Sequence, residues 1–217
     1  MNYIIAATGR ARSGVLASYL RQLGCGKPDE FFETVRFDIL RAKPTETELQ
    51  DYLESQRHNG IFGMRVVWSH VRKMHEVLGI GLKEFTDTYL PNPQFVFMER
   101  CPWRQAIESA IYQAWNDIDN ARIPLDQIRN RVTQIVIGNT VWGEYFKQHN
   151  ITPIRLQSED LQADPNVAKD ICMELEYMPP DRELANTFND QYMDHPKAEA
   201  WYRRITESRL RILEESL

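Results

Sequence analysis

The feature that most constrains the fold is an apolar run, followed by a short loop of small and basic residues and then by a helical pattern. Residues 3–7 form the apolar run, which predicts a buried strand. Apolar residues then recur at helical spacing: Leu16, Tyr19, Leu20 and Leu23. A strand that turns directly into a helix presents backbone N–H groups at the helix N-terminus, where anions bind. Arg10, Arg12 and Ser13 add side-chain donors, so the sequence predicts a phosphate or sulfate cradle in this loop.

The rest of the chain continues the alternation of strands and helices. Three more strands are predicted at 61–68, 94–98 and 154–156. Helical patterns are found at 13–23, 46–57, 69–78, 102–116, 125–149, 166–175 and 197–215. The pattern over 125–149 fits one helix, or two that separate at Gly138 or Gly143. We therefore expect a single α/β domain over residues 1–217, with a central, mostly parallel sheet of four to five strands flanked by helices.

Ligands of such sheets bind beyond the carboxyl ends of the strands, so the loops after the first and third strands are the candidate sites. The net charge of −5 argues against general nucleic-acid binding, which usually requires a basic surface. No apolar run approaches the length of a membrane span, and no signal-peptide pattern precedes the first strand. Three scattered cysteines fit reduced thiols. We expect a cytoplasmic protein without a nucleic-acid or membrane partner.

The first loop is not a Walker A box, because Gly9 to Gly14 lacks the Gly-Lys-Ser/Thr ending. A magnesium-bound nucleoside triphosphate is therefore disfavoured, although a P-loop small-molecule kinase remains an alternative. Arg10 and Arg12 take the place of the single lysine, and their planar guanidinium groups suit oxyanions. The alternative for the loop itself is an ordinary turn with solvated arginines.

A second basic site follows the third strand. Arg100 comes directly after that strand, and Ser109 lies on the next helix. In a parallel sheet Arg100 would be level with the first loop, and the two sites together favour a donor with two anionic ends. Alternatively, Arg100 pairs with Glu99 or Glu108 at the surface, where an ion pair is worth only about 0–1 kcal/mol.

A carboxylate follows the first helix in a segment rich in glycine and proline. Glu30 precedes Phe31 and Phe32. A carboxylate close to an anion site suits a general base that takes the proton of an acceptor hydroxyl. The alternative is that Asp29 and Glu30 cap the following helix.

Several segments match, in chain order, those of one known family. Residues 9–16 align without a gap with a Pro-Arg-Ser-Gly-Ser-Thr-Leu-Leu loop, and residues 26–32 with Gly-x-Pro-x-Glu-Phe-Phe. Residues 63–68 correspond to a Gly-x-Lys-x-x-Trp strand, and residues 100–109 to an Arg, Gln-Ala, Ser segment. Residues 153–161 and 201–204 match a late strand and a closing helix. The chain thus resembles the bacterial sulfotransferases of the trehalose sulfotransferase type.

The resemblance implies a P-loop NTPase-like sulfotransferase fold. It also implies that the sulfuryl donor is 3′-phosphoadenosine 5′-phosphosulfate (PAPS), whose desulfated product is PAP. Arg10 and Ser13, with Gly9, Arg12 and Gly14 in the same loop, would bind the 5′-phosphosulfate. Arg100 and Ser109 would bind the 3′-phosphate. Glu30 falls on the family's proposed catalytic base, Arg10 would stabilise the transferred group, and no metal would be required. The acceptor would be a small molecule such as a sugar, and the resemblance makes a homodimer the expected assembly.

The chain departs from the family pattern in the loop. Gly9 replaces Pro, Ala11 replaces Ser, Arg12 replaces Gly and Gly14 replaces Thr. If Gln105 and Ala106 are aligned with the family, Glu108 rather than Ser109 occupies the position of the expected Ser. One residue turns a helix by about 100°, so only one of the two can face the ligand. A sulfotransferase-like binding module with weakened catalysis is therefore the alternative function.

Overall fold

Strands and helices alternate along the part of the chain that the structure, a computed structural model, describes: residues 1–32, 44–114, 123–185, 199–200 and 202–203. The elements are β1 (Asn2–Ala7), α1 (Ser13–Gln22), α2 (Glu46–Ser55), β2 (Phe62–Val67), α3 (Trp68–Leu78), α4 (Leu82–Tyr89), β3 (Gln94–Glu99), α5 (Pro102–Ala114), α6 (Leu125–Gln148), β4 (Ile154–Gln157), α7 (Ser158–Ala163) and α8 (Val167–Glu174).

The four strands form one sheet in the order β2-β1-β3-β4, and every neighbouring pair is parallel. Ala7 at the end of β1 pairs with Val67 in β2 and with Met98 in β3. The carboxyl ends of these three strands therefore meet at one edge of the sheet. The predicted α/β class is confirmed, and the described residues form four strands in a fully parallel sheet.

Side chains of β1 alternate between two apolar layers, one on each face of the sheet. Tyr3, Ile5 and Ala7 pack in a layer with α1 and α8. Ile4 and Ala6 pack in the other layer, to which α2, α3, α4 and α6 contribute. Burial on both faces explains why β1 is apolar from residue 3 to residue 7 instead of alternating with polar residues.

The predicted element boundaries hold to within two residues for α1, α2, α3, α6 and α8. A capping box starts α2, since Thr45 N donates to Glu48 Oε2 at 2.8 Å and Glu48 N donates to Thr45 Oγ1 at 3.3 Å. Two short helices, α4 and α7, were not predicted. The predicted helix 102–116 is described as far as Ala114, and most of the one over 197–215 lies outside the described residues. No helix in the described ranges combines the length and hydropathy that a bilayer crossing needs.

Helix α6 is continuous and packs closely against the end of β1. A Cβ added at Gly138 would lie 2.8 Å from Thr8 Cγ2. One turn later, the buried Trp142 donates from Nε1 to Ala7 O at 2.9 Å. Gly138 therefore permits close approach instead of breaking the helix, and α6 fixes the point at which the chain leaves the sheet.

Candidate active site

The loop between β1 and α1 makes a tight double turn. Arg10 and Arg12 both adopt left-handed backbone conformations, with φ of 66° and 69°. Ala11 N donates to Thr8 O at 3.2 Å, and Val15 N donates to Arg12 O at 2.9 Å as the first turn of α1 closes. Successive left-handed and helical residues turn backbone N–H groups toward one concavity, as in known anion-binding loops. The first turn of α1 adds the positive end of the helix dipole.

This loop opens into a cleft of about 660 Å³ at the carboxyl edge of the sheet. Its walls are built from the loop, α1, the segment after α1, β2, α3 and α5, and include Gly9, Arg10, Arg12, Ser13, Gly14, Glu30, Arg65, His70, Glu108 and Tyr112. The structure thus brings together all the predicted donor-binding residues of the first loop and the predicted base. Three arginines against two glutamates leave one net positive charge on the cleft walls.

Arg10 is held by one contact to its side chain and one to its backbone. Its guanidinium carbon lies 3.6 Å from the centre of the Tyr112 ring, which is a close cation–π contact. Its carbonyl oxygen accepts a hydrogen bond from Arg100 Nη1 at 3.0 Å. The two basic loops that follow β1 and β3 are therefore adjacent, as their places in a parallel sheet predict.

The side chain of Gln105, which is fully buried, connects the loop after β1 to the loop after β3. Its Nε2 donates to Arg100 O at 2.8 Å, and its Oε1 accepts from Thr8 Oγ1 at 2.9 Å. A buried amide with both ends bonded holds the loops at a fixed separation.

Glu108 on α5 faces the cleft and bridges two arginines. One carboxylate oxygen, Oε2, lies 2.9 Å from Arg12 Nη2 and also contacts Arg100 Nη1. Arg100 is only 3% exposed and does not line the cleft. Of the two pairings considered for Arg100, the structure contains the one with Glu108, and it is buried rather than at the surface. Removing one member of a buried pair typically costs about 3–5 kcal/mol, far more than a surface pair is worth.

Ser109, the next residue, points elsewhere. Its hydroxyl accepts a hydrogen bond from Arg131 Nη1 of α6 at 2.8 Å, and Arg131 also donates to Gln113. Ser109 is not among the residues that line the cleft. Of the two candidates on α5, Glu108 is therefore the one that faces the cleft.

Glu30 reaches the cleft from a short extended segment beside β2. Asp29 pairs with Met64 in a parallel bridge, and Arg65 N donates to Asp29 O at 2.9 Å. The Glu30 carboxylate lies 3.5 Å from Arg65 Nη1, while Asp29 lies 3.6 Å from Arg65 Nη2. The alternative role for these acids, capping a following helix, concerns residues 33–43, which lie outside the described part of the chain.

Arg65 was not selected from the sequence, and neither were His70 and Tyr112, which also line the cleft. A Cβ added at Gly14 would lie 2.9 Å from Arg65 Nη1, so this guanidinium covers the first turn of α1. The signal was present in the sequence, since Arg65 stands at the Lys of the Gly-x-Lys-x-x-Trp strand pattern. Arg65 thereby connects Glu30 to the anion cradle.

A second cavity, also about 660 Å³, adjoins the first and shares Gly9 and Val67 with it. Its walls come mainly from α3 and α6 and combine apolar with basic side chains: Trp68, Arg72, Arg131, Ile135 and Ile137. The two cavities meet where β1 and β2 end.

No family model matches the chain, and no curated protein matches it. Among solved structures, the sulfotransferase from Alicyclobacillus acidocaldarius is similar, with a TM-score of 0.51 and 16% identity over 85% of this chain and 86% of that one. The sulfotransferase domain from the Synechococcus PCC 7002 olefin synthase aligns with a TM-score of 0.44 and 14% identity over 89% and 76% of the two chains. The first likeness shows that this chain has the P-loop-like α/β fold of a sulfotransferase.

Proposed function

We propose that the chain is a sulfotransferase that moves a sulfuryl group from PAPS to a hydroxyl of a carbohydrate or another small molecule. The observation that carries this proposal is one cleft, at the carboxyl edge of a sulfotransferase-like sheet, whose walls include Arg10, Arg12, the start of α1 and Glu30. An anion cradle that shares a cleft with a carboxylate suits the transfer of an anionic group to a hydroxyl.

The first loop would bind the 5′-phosphosulfate of the donor. Ser13 and Gly14, in the first turn of α1, line the cleft together with Arg10 and Arg12. A volume of about 660 Å³ lies within the usual range of roughly 300–1,000 Å³ for small-molecule sites. Gly14 leaves space for the Arg65 guanidinium, which adds a further cation where the family pattern has a Thr hydroxyl.

In the proposed reaction the acceptor oxygen bonds to sulfur while the bond from sulfur to the bridging phosphate oxygen breaks, which releases PAP. Arg10, Arg12 and the loop N–H groups stabilise the negative charge on the sulfuryl oxygens and the departing phosphate, as in phosphoryl transfer. Glu30 takes the acceptor's hydroxyl proton. Arg65 orients the Glu30 carboxylate from 3.5 Å away and contributes positive charge at the same place.

The acceptor would enter through the second cavity. This cavity meets the donor cleft at Gly9 and Val67, so a hydroxyl compound held against Trp68 and Ile137 would reach the end of β1. The trehalose-type resemblance favours a sugar as this acceptor. The free Cys25, Cys101 and Cys172 fit the proposed cytoplasmic location, and a homodimer remains part of the proposal.

The test is a transfer assay that measures PAP formed from PAPS in the presence of a panel of mono- and disaccharides and simple phenols. The proposal predicts PAP release that depends on one class of acceptor. PAP binding without turnover on any acceptor would favour the binding-module alternative. Magnesium-dependent transfer from ATP, with no use of PAPS, would favour the kinase alternative and contradict the proposal.

A further inference from the structure

Glu108 occupies an unusual place for an acidic residue in an anion-binding cleft. Its side chain is 4% exposed, it borders the cleft, and its Oε2 is shared by the Arg12 and Arg100 guanidinium groups. Arg100 does not border the cleft and is 3% exposed, so Glu108 stands between the ligand space and this arginine.

The resemblance assigns a 3′-phosphate to Arg100 and Ser109, and both are already engaged by other groups. Arg100 is bound to the Glu108 carboxylate and to Arg10 O, and Ser109 accepts from Arg131. The internal carboxylate thus neutralises the charge that would attract a second phosphate. A phosphate brought next to it would meet a like charge in a partly desolvated place, where such repulsion is strong.

We infer that this site recognises the 5′ end of an adenylyl sulfate donor alone, and that Glu108 is the residue that removes any selection for a 3′-phosphate. The inference rests on the proposed function and deepens it. The class of donor that fits is adenosine 5′-phosphosulfate, with or without a phosphate on the 3′ oxygen.

The experiment compares two nucleotides that differ only in that phosphate. PAP and adenosine 5′-monophosphate (AMP) are titrated calorimetrically into the wild-type chain, into Glu108→Gln and into Glu54→Gln. Glu54→Gln is the matched control, because it also removes one carboxylate charge from an ion pair with an arginine, Arg57. Arg57 donates to Met1 O, so this pair lies at the opposite end of β1 from the cleft. Thermal unfolding of each variant shows whether the folded state is retained.

The wild-type chain is expected to bind PAP and AMP with equal affinity, and Glu54→Gln to do the same. In Glu108→Gln the guanidinium groups lose their anionic partner, so PAP is expected to bind about tenfold more tightly than AMP. A wild-type preference of about tenfold or more for PAP would overturn the inference while supporting the proposed function. The wild-type comparison needs no variant, so the inference remains falsifiable even if Glu108→Gln does not fold. Failure of the wild-type chain to bind either nucleotide would instead overturn the proposed function, and the inference with it.

Discussion

The guanidinium of Arg65 in β2 lies over Gly14 at the start of α1, where a Cβ would be 2.9 Å from Nη1. The same arginine is 3.5 Å from the Glu30 carboxylate. A residue from the neighbouring strand therefore joins the candidate base to the helix terminus that would bind the donor. The close approach depends on the missing side chain at Gly14.

Gly14→Ala should displace Arg65 without unfolding the chain, because the atom that the new methyl group meets is the mobile end of a side chain. We expect PAP affinity to fall about tenfold, the usual value of a charge-assisted hydrogen bond. Calorimetric titration with PAP measures the change. Gly143→Ala is the matched control, since a Cβ there meets nothing within 4 Å and Gly143 does not line the cleft. Unchanged affinity in Gly14→Ala would show that Arg65 does not contact the donor.

Glu30→Gln should lower turnover by about 10²–10⁴-fold, the usual cost of losing a general base. Donor binding should change little, because Gln fills the same space and the first loop is intact. The rate of PAP release at saturating PAPS separates the two effects. Asp29→Asn is the control, because Asp29 also pairs with Arg65, at 3.6 Å, but does not border the cleft. Turnover that is equal in Glu30→Gln and wild-type chains would reject the role of Glu30 as base.

Two glycines of α6 should respond in opposite directions to the same substitution. At Gly138 a methyl group would lie 2.8 Å from Thr8 Cγ2, so Gly138→Ala should destabilise the fold by about 1–3 kcal/mol through overpacking. At Gly143 nothing lies within 4 Å, so Gly143→Ala should stabilise the fold by up to about 1 kcal/mol through helix propensity. Urea denaturation measures both. Equal effects would mean that α6 does not pack on the β1 loop as described.

The fold was largely predictable because β1 and β3 contain apolar runs bounded by turn residues, and the alternation of strands with helices implies a parallel sheet. The short helices were missed for a physical reason. Helix α4 has three buried residues, Leu82, Phe85 and Thr86, and α7 spans only six residues, so neither displays a helical period over enough length. The Gly residues within α6 suggested a break, whereas Gly138 serves contact with Thr8.

The candidate site was predictable in its first loop and less so elsewhere. Arg10, Arg12 and Ser13 lie close together because all three belong to one short turn between a strand and a helix. A shift of one residue in the alignment of α5 decides whether Glu108 or Ser109 faces the cleft. The packing of the helix settles this, because it turns Glu108 toward the cleft and Ser109 toward Arg131. The position of Arg65 depends on strand pairing between β1 and β2, which the sequence of either strand alone does not specify.

Calorimetric titration of PAP into the wild-type chain and into Arg10→Ala tests whether the first loop binds the donor. We expect one PAP site per chain and a loss of affinity of at least about tenfold in Arg10→Ala, because a loop guanidinium at the cleft is removed. Arg155→Ala, which removes an exposed arginine paired with Glu99 at 3.1 Å, should bind PAP like the wild-type chain. Absence of PAP binding by the wild-type chain, or binding by Arg10→Ala as tight as wild type, would show that the first loop is not a donor site.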